Sequence, residues 1–174
     1  MALSQENVLF DPLNRMLDFS GRSSRSQFWP FVAIYLAATA VVPLLNTPLP
    51  DVSMVSGPEQ IDMGAVLRDF VTQQGLIFAL FLVPLMSVTT RRLHDAGWSA
   101  RYAAPLLFLH LGVFLLQAKV LADGVLTGTP VGTPWFGALG TATTIFNIYT
   151  IGIALLCLLP SDSCANQYGE PQFS

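Results

Sequence analysis

From residue 28 to residue 159 the chain alternates between long uncharged apolar runs and polar segments rich in proline, glycine and charge. The first run, 28–45, contains no charged residue. Ser24-Arg25-Ser26-Gln27 precedes it and fits a capping box, with Ser24 as N-cap and Gln27 reaching back to the Ser24 N–H. Trp29 falls where an indole ring prefers the headgroup region, and Pro30 falls in the first turn, where its missing N–H is not needed. Pro43 is expected to help end the helix. After 46–63, whose Pro48, Pro50, Gly57 and Pro58 read as a loop, the stripe Val66, Leu67, Phe70 and Val71 restarts a helix. The second run, 70–90, would extend about 31 Å as a helix, enough for a hydrocarbon core of roughly 30 Å, and Pro84 is expected to kink it. The third, 102–118, is near the lower length limit of roughly 17 residues, so a re-entrant or tilted interfacial helix is the alternative there. A Gly-, Thr- and Pro-rich loop is predicted over 123–134. The fourth run, 135–159, ends at Pro160, and its Gly137, Ala138, Gly140, Thr141, Ala142 and Thr144 predict close approach to a neighbouring helix.

These runs predict an all-α fold: a polytopic membrane protein forming one four-transmembrane-helix bundle, with spans at 28–45, 70–90, 102–118 and 135–159. A polar N-terminal segment, 1–26, and a tail, 160–174, flank it. Composition agrees. Of the 174 residues 52% are hydrophobic and 11% charged, against roughly 25% charged in ordinary soluble domains. The position of the basic residues then sets the orientation. Arg15, Arg22, Arg25, Arg91, Arg92 and Arg101 fall on one side of the predicted bundle, and only Arg68 and Lys119 on the other. Positive residues are retained on the cytoplasmic side, so both termini are expected there. Glu6, Asp11 and Asp18 precede the first run, unlike the short basic start of a secretory signal, and the first helix is expected to remain as an uncleaved anchor. No basic stripe suggests a nucleic-acid partner. Cys157, inside an apolar run, reads as a small hydrophobe; Cys164, in the tail, is expected to be a reduced thiol. Their spacing matches no zinc pattern, and no metal or cofactor is expected.

Three motifs stand at the predicted cytoplasmic ends of the runs: Phe19-Ser20-Gly21-Arg22-Ser23-Ser24-Arg25 leading to Phe28-Trp29, Arg91-Arg92-Leu93-His94-Asp95 followed by Gly97-Trp98-Ser99, and Asn166-Gln167-Tyr168-Gly169. Their order around four apolar runs resembles the domain of unknown function 805 family, over nearly the whole chain. The resemblance implies a small bacterial inner-membrane protein and brings no catalytic residues. The chain departs from the family's glycine-rich approach to the last motif, reading Ser161-Asp162-Ser163-Cys164-Ala165.

Arg22, Arg25, Arg91, Arg92, His94, Asp95, Asn166 and Tyr168 are the candidate site residues. Asp95 lies i,i+4 from Arg91 and i,i+3 from Arg92, so either arginine can pair with it if the helix continues, and Gly97 offers a helix stop. One reading is a structural clasp, in which arginine forks satisfy Asp95 and helix-end carbonyls. The other is an anion site for a lipid headgroup or phosphorylated ligand, since such forks bind phosphate in pairs of hydrogen bonds and basic pockets between helices bind anionic lipids. An enzyme is not expected: His94, Asp95 and Ser99 have the residue types of a hydrolytic triad but are too close along one segment for triad geometry. A coupled transporter is disfavoured because the apolar runs contain no Asp, Glu, Lys or Arg. His110 is the one ionisable group in the third run and is expected to hydrogen-bond between helices, as are Thr143, Thr144, Asn147, Tyr149 and Thr150 in the fourth. The expected function is therefore non-enzymatic, through a cytoplasmic basic face, with membrane lipids (anionic headgroups among them), another membrane protein or a second copy as partner. The alternative is a small oligomeric transporter or channel subunit.

Overall fold

The computed structural model describes residues 11–46, 63–127 and 134–170, and the predicted loop at 46–63 lies almost wholly outside them. Among the described residues the secondary structure is helical apart from one isolated bridge, Asn166 with Gly169. A single turn, α1 (Asp11–Asn14), precedes four long helices: α2 (Arg25–Asn46), α3 (Met63–Asp95), α4 (Ala104–Thr127) and α5 (Trp135–Leu158). A 3-10 turn, Ala100–Tyr102, links α3 to α4. Helices that follow one another in sequence pack together. The starts of α2 and α4 and the ends of α3 and α5 meet at one end of the bundle.

Apolar runs report how much chain suits lipid, and helices do not stop where the lipid does. α5 matches its run almost to the residue. α2 begins after Ser24, where Gln27 Oε1 accepts from the Ser24 N–H at 3.0 Å, but the Ser24 hydroxyl bonds to that of Ser26, so only half of the predicted capping box forms. α2 also continues past Pro43 to Asn46, so that proline does not end it. α3 overruns its predicted span at both ends, and its last turn is Arg92-Leu93-His94-Asp95 itself. α4 is longer still than expected: 24 residues, about 36 Å. It passes through Lys119 and Asp123, which pair at i,i+4 and so keep the helix going into the segment predicted as a loop.

The large apolar side chains show what surrounds the helices. Leu36 on α2, Leu80 on α3, Phe108 on α4 and Ile148 on α5 each leave well over half of their surface uncovered. Apolar faces of that extent on every long helix suit a lipid solvent. Three helical stretches, Gly64–Asp95, Ala100–Thr127 and Trp135–Leu158, are long and apolar enough to cross a membrane. Most of the small residues of α5 do not pack against another described helix. Gly137, Gly140, Thr141 and Thr144 are exposed, and a Cβ at either glycine would meet open space. The threonine hydroxyls instead bond to carbonyls one turn earlier on α5.

Burial concentrates at the shared end. Phe28 and Phe31 of α2, Met86, Val88 and Leu93 of α3, and Ile153 and Cys157 of α5 form one buried cluster there. The polar residues that pack beside it are the three sequence motifs.

Candidate functional site: a buried arginine clasp

The last turn of α3 sets the geometry. Gly97 adopts φ +78°, a left-handed conformation that glycine takes without steric penalty. The Trp98 N–H then bonds to the Leu93 carbonyl at 2.8 Å and the Gly97 N–H to the His94 carbonyl at 3.1 Å, which is a Schellman stop. Trp98 packs on the same cluster as Leu93. The helix therefore ends with the Arg91, Arg92, His94 and Asp95 side chains directed into the protein.

Arg22 enters this site from the segment before α2. It is 2% exposed, and Arg92 and Asp95 are 0% exposed. All five N–H groups of the Arg22 guanidinium have a protein acceptor. Nε donates to Asp95 Oδ1 at 2.9 Å, Nη1 to the Cys164 and Gly169 carbonyls, and Nη2 to the Asp95 and Asp162 carbonyls. Arg92 approaches Asp95 from the other side. Its Nη1 donates to Asp95 Oδ2 and to Ser161 Oγ, its Nε to the Cys157 carbonyl at 2.9 Å, and its Nη2 to the Leu159 carbonyl. Ser161 Oγ also donates to Asp95 Oδ2, and the Asp162 N–H bonds to the Asp95 carbonyl at 2.8 Å.

Two guanidinium groups and one carboxylate leave an excess positive charge. The neighbouring carbonyls supply the balance: those of Cys157 and Leu159 close α5, and that of Asp95 closes α3. A helix C-terminus carries partial negative charge, so two such ends aimed at Arg22 and Arg92 stabilise the excess without an external anion.

His94 and the third motif complete the site. His94 Nδ1 lies 3.1 Å from the Gly21 carbonyl; a carbonyl only accepts, so the proton sits on Nδ1. The His94 ring stacks flat on Tyr168, centroids 3.7 Å apart and planes 4° from parallel. Asn166 Nδ2 donates to the His94 carbonyl at 3.1 Å, and the Tyr168 N–H to Asn166 Oδ1 at 2.9 Å. Of the eight candidates, Arg22, Arg92, His94, Asp95, Asn166 and Tyr168 thus form one connected network.

Arg91 and Arg25 stand apart from it. Arg91 is 0% exposed and pairs with Asp11 of α1 through Nη1 at 3.1 Å, while its Nε and Nη2 are buried without a partner among the described residues. Its carbonyl accepts from the Ser23 N–H at 3.1 Å. Ser87, one turn earlier, donates to the Arg15 and Asp18 carbonyls, so α3 holds the N-terminal segment through two side chains. The Ser20 hydroxyl and the Arg15 guanidinium keep the Asp18 carboxyl at about 2, below its ordinary 3.8. Arg25 is exposed on the first turn of α2 and, like Arg101 beyond α3, remains outside the buried network. His94, Asp95 and Ser99 make no relay: the His94 ring bonds to Gly21, Asp95 to the arginines and Ser161, and the Ser99 hydroxyl accepts from the Arg101 N–H.

Asp11, Ser87, Ser161 and Asp162 belong to the assembly but were not among the sequence candidates. A serine and an aspartate directly after the helix-ending Pro160 were the available signal for the last two. Asp11 and Ser87 had none.

A helical bundle with lipid-type outer faces and a polar network closing one end defines an integral-membrane class of protein. Within that class, residues 16–170 match the model of the family described as "Protein of unknown function (DUF805)", and the chain belongs to that family. Searches of the curated proteins and of the solved structures gave no match.

Proposed function

We propose that the protein is a four-span integral protein of the bacterial inner membrane with both termini in the cytoplasm. On this reading it acts without catalysis, presenting its clasped face to anionic lipid headgroups and to a membrane partner, either another protein or a second copy. α2 is the fourth span: it has 22 residues, about 33 Å of helix, and its one charged residue is Arg25 at the start. The observation that carries the reading is the complete internal engagement of Arg22. With Arg22 and Arg92 bonded within the protein, the clasp builds a fixed surface, and the exposed Arg25 and Arg101 are left to meet headgroups.

Two measurements test this. Native mass spectrometry of protein extracted in its own lipid is expected to show retained phosphatidylglycerol or cardiolipin. A surface arginine contributes about 1 kcal/mol toward an anionic membrane, so the Arg25→Gln/Arg101→Gln double variant should retain at least about tenfold less. Equal retention by the two proteins removes the lipid contact from the reading. The orientation is tested with Cys164, an exposed free thiol. A membrane-impermeant maleimide should modify it in inverted vesicles and leave it untouched in intact cells, whereas labelling in intact cells reverses the topology.

The second reading, a small oligomeric transporter or channel subunit, is favoured by the polar side chains from α2 to α5 that line one chamber inside the bundle. Solute flux in proteoliposomes that is lost in His110→Ala and kept in Arg25→Gln would put it first.

A further inference from the structure

Two cavities meet inside the bundle: a polar one at mid-depth, and an apolar one that runs from it toward the clasped end, where Phe28, Met86 and Ile153 border it. The first has a volume of about 190 Å³ and receives a polar side chain from every long helix: Tyr35 from α2, Gln74 from α3, His110 and Gln117 from α4, and Thr143 and Asn147 from α5. It lies at mid-depth, since Tyr35 is about 15 Å along α2 from the clasped end and Thr143 about 12 Å along α5 from the other. Its walls are aromatic. Phe78 and Phe114 lie at 22° to one another with centroids 5.6 Å apart, and the Phe78 and Phe146 rings each lie 5.2 Å from His110. The second cavity, about 230 Å³, shares Tyr35, His110 and Phe146 with the first and is otherwise almost wholly apolar, bordered by Val32, Leu82, Leu85 and Ile153. Thr150 borders it as well, and its hydroxyl is buried without a partner.

Among the described residues these polar side chains find few partners. His110 Nε2 reaches the Tyr35 hydroxyl only at 3.5 Å, the outer limit of a hydrogen bond. Inside a membrane, unpaired amides and a histidine are costly and mark a site that something else completes. The chemistry of the lining narrows that partner. Among the described residues no Arg or Lys borders either cavity, so a phosphate headgroup would lie there without a counter-charge. A neutral, flat head suits the aromatic walls, and carbonyl oxygens at its rim would take the amide, imidazole and phenol donors. A cavity of about 150 Å³ holds a benzene ring, so the polar chamber admits one substituted ring and no more. The apolar chamber then takes an aliphatic chain.

We propose that the bundle binds a membrane-soluble quinone, with the ring carbonyls among Tyr35, Gln74, His110 and Asn147 and the tail in the apolar chamber. The site depends on the bundle lying in a membrane and is independent of any lipid contact at the clasped face.

Trp29 borders the apolar chamber and provides the measurement. Decylbenzoquinone titrated into the full-length protein in nanodiscs should quench tryptophan fluorescence saturably. His110→Leu and Asn147→Leu should each weaken binding at least tenfold. Asn147 is exposed and its side chain makes no bond among the described residues, so its variant keeps the fold and the test stands even if His110→Leu does not fold. Decylbenzene, with the same tail and no carbonyl, should quench only linearly, by partition into the lipid. The proposal is overturned if decylbenzoquinone also quenches linearly, if both variants bind it as wild type does, or if decylbenzene saturates at the same concentration.

Discussion

Asp95→Ala is expected to destabilise the protein by about 3–5 kcal/mol, more than any other single change at the clasp, because it leaves two buried guanidinium groups without their shared carboxylate. Both carboxylate oxygens are engaged: Oδ1 by Arg22, Oδ2 by Arg92 and Ser161. Alanine removes all three contacts and leaves a cavity among groups that cannot close it. Asp95→Asn separates charge from shape. Its amide oxygen can still accept from one arginine, but its NH₂ turns a donor toward the other, so a loss between that of alanine and wild type is expected. Denaturant titration in mixed micelles, followed by far-UV circular dichroism, measures both. An Asp95→Ala protein within about 1 kcal/mol of wild type would mean that the excess charge is balanced without this carboxylate, and the clasp would no longer explain the fold of this end.

Arg22→Gln acts on a different part of the same network. The guanidinium supports the tail at three carbonyls, those of Asp162, Cys164 and Gly169. Glutamine is shorter and has two N–H donors in place of five. Hydrogen bonds to a charged group contribute about 1.5–3 kcal/mol each, so losing even one shifts tail opening by more than tenfold. Chymotrypsin should then cut at Tyr168, which in the wild-type protein is stacked on His94, at least tenfold faster, while α2 to α5 stay intact. Unchanged cleavage would show that Asn166 and the His94 stack hold the tail without Arg22.

The sequence made some of this architecture readable, and the unreadable parts have physical causes. Hydropathy locates segments that suit lipid, and it found α5 and the start of α2 closely because Ser24, Gln27 and Pro160 punctuate them. Its spans at 70–90 and 102–118 are shorter than α3 and α4 because nothing in the continuations breaks a helix: the Arg92–Asp95 and Lys119–Asp123 pairs support one, and for α3 the stripe from Val66 and the Gly97 stop marked the longer extent. Small residues on α5 were expected to favour close approach to a neighbouring helix, and among the described residues Gly137 and Gly140 are exposed, turned away from the other helices of this chain. Composition says that a helix can approach a neighbour, not which side it turns. The meeting of the three motifs at one end followed from counting spans. The burial of their arginines did not, because most acceptors of Arg22 and Arg92 are main-chain carbonyls, and a carbonyl leaves no mark on the identity of the residue that carries it. The spacing let either Arg91 or Arg92 pair with Asp95, and Arg92 does so. Arg91 pairs with Asp11 instead, since the α1 turn folds back over α3 and Asp95 is already fully engaged.

The acceptors beyond α5 also impose an order of events. Leu159, Asp162, Cys164 and Gly169 are synthesised after every long helix, so Arg22 and Arg92 lack part of their acceptors until the last segment is made. On the proposed topology they are in that interval cations that resist translocation and would hold the starts and ends of helices on the side where they were made. Their set of acceptors is complete only when the last segment emerges. On that topology the same side chains would serve first as anchors for the nascent chain and afterwards as its mortar.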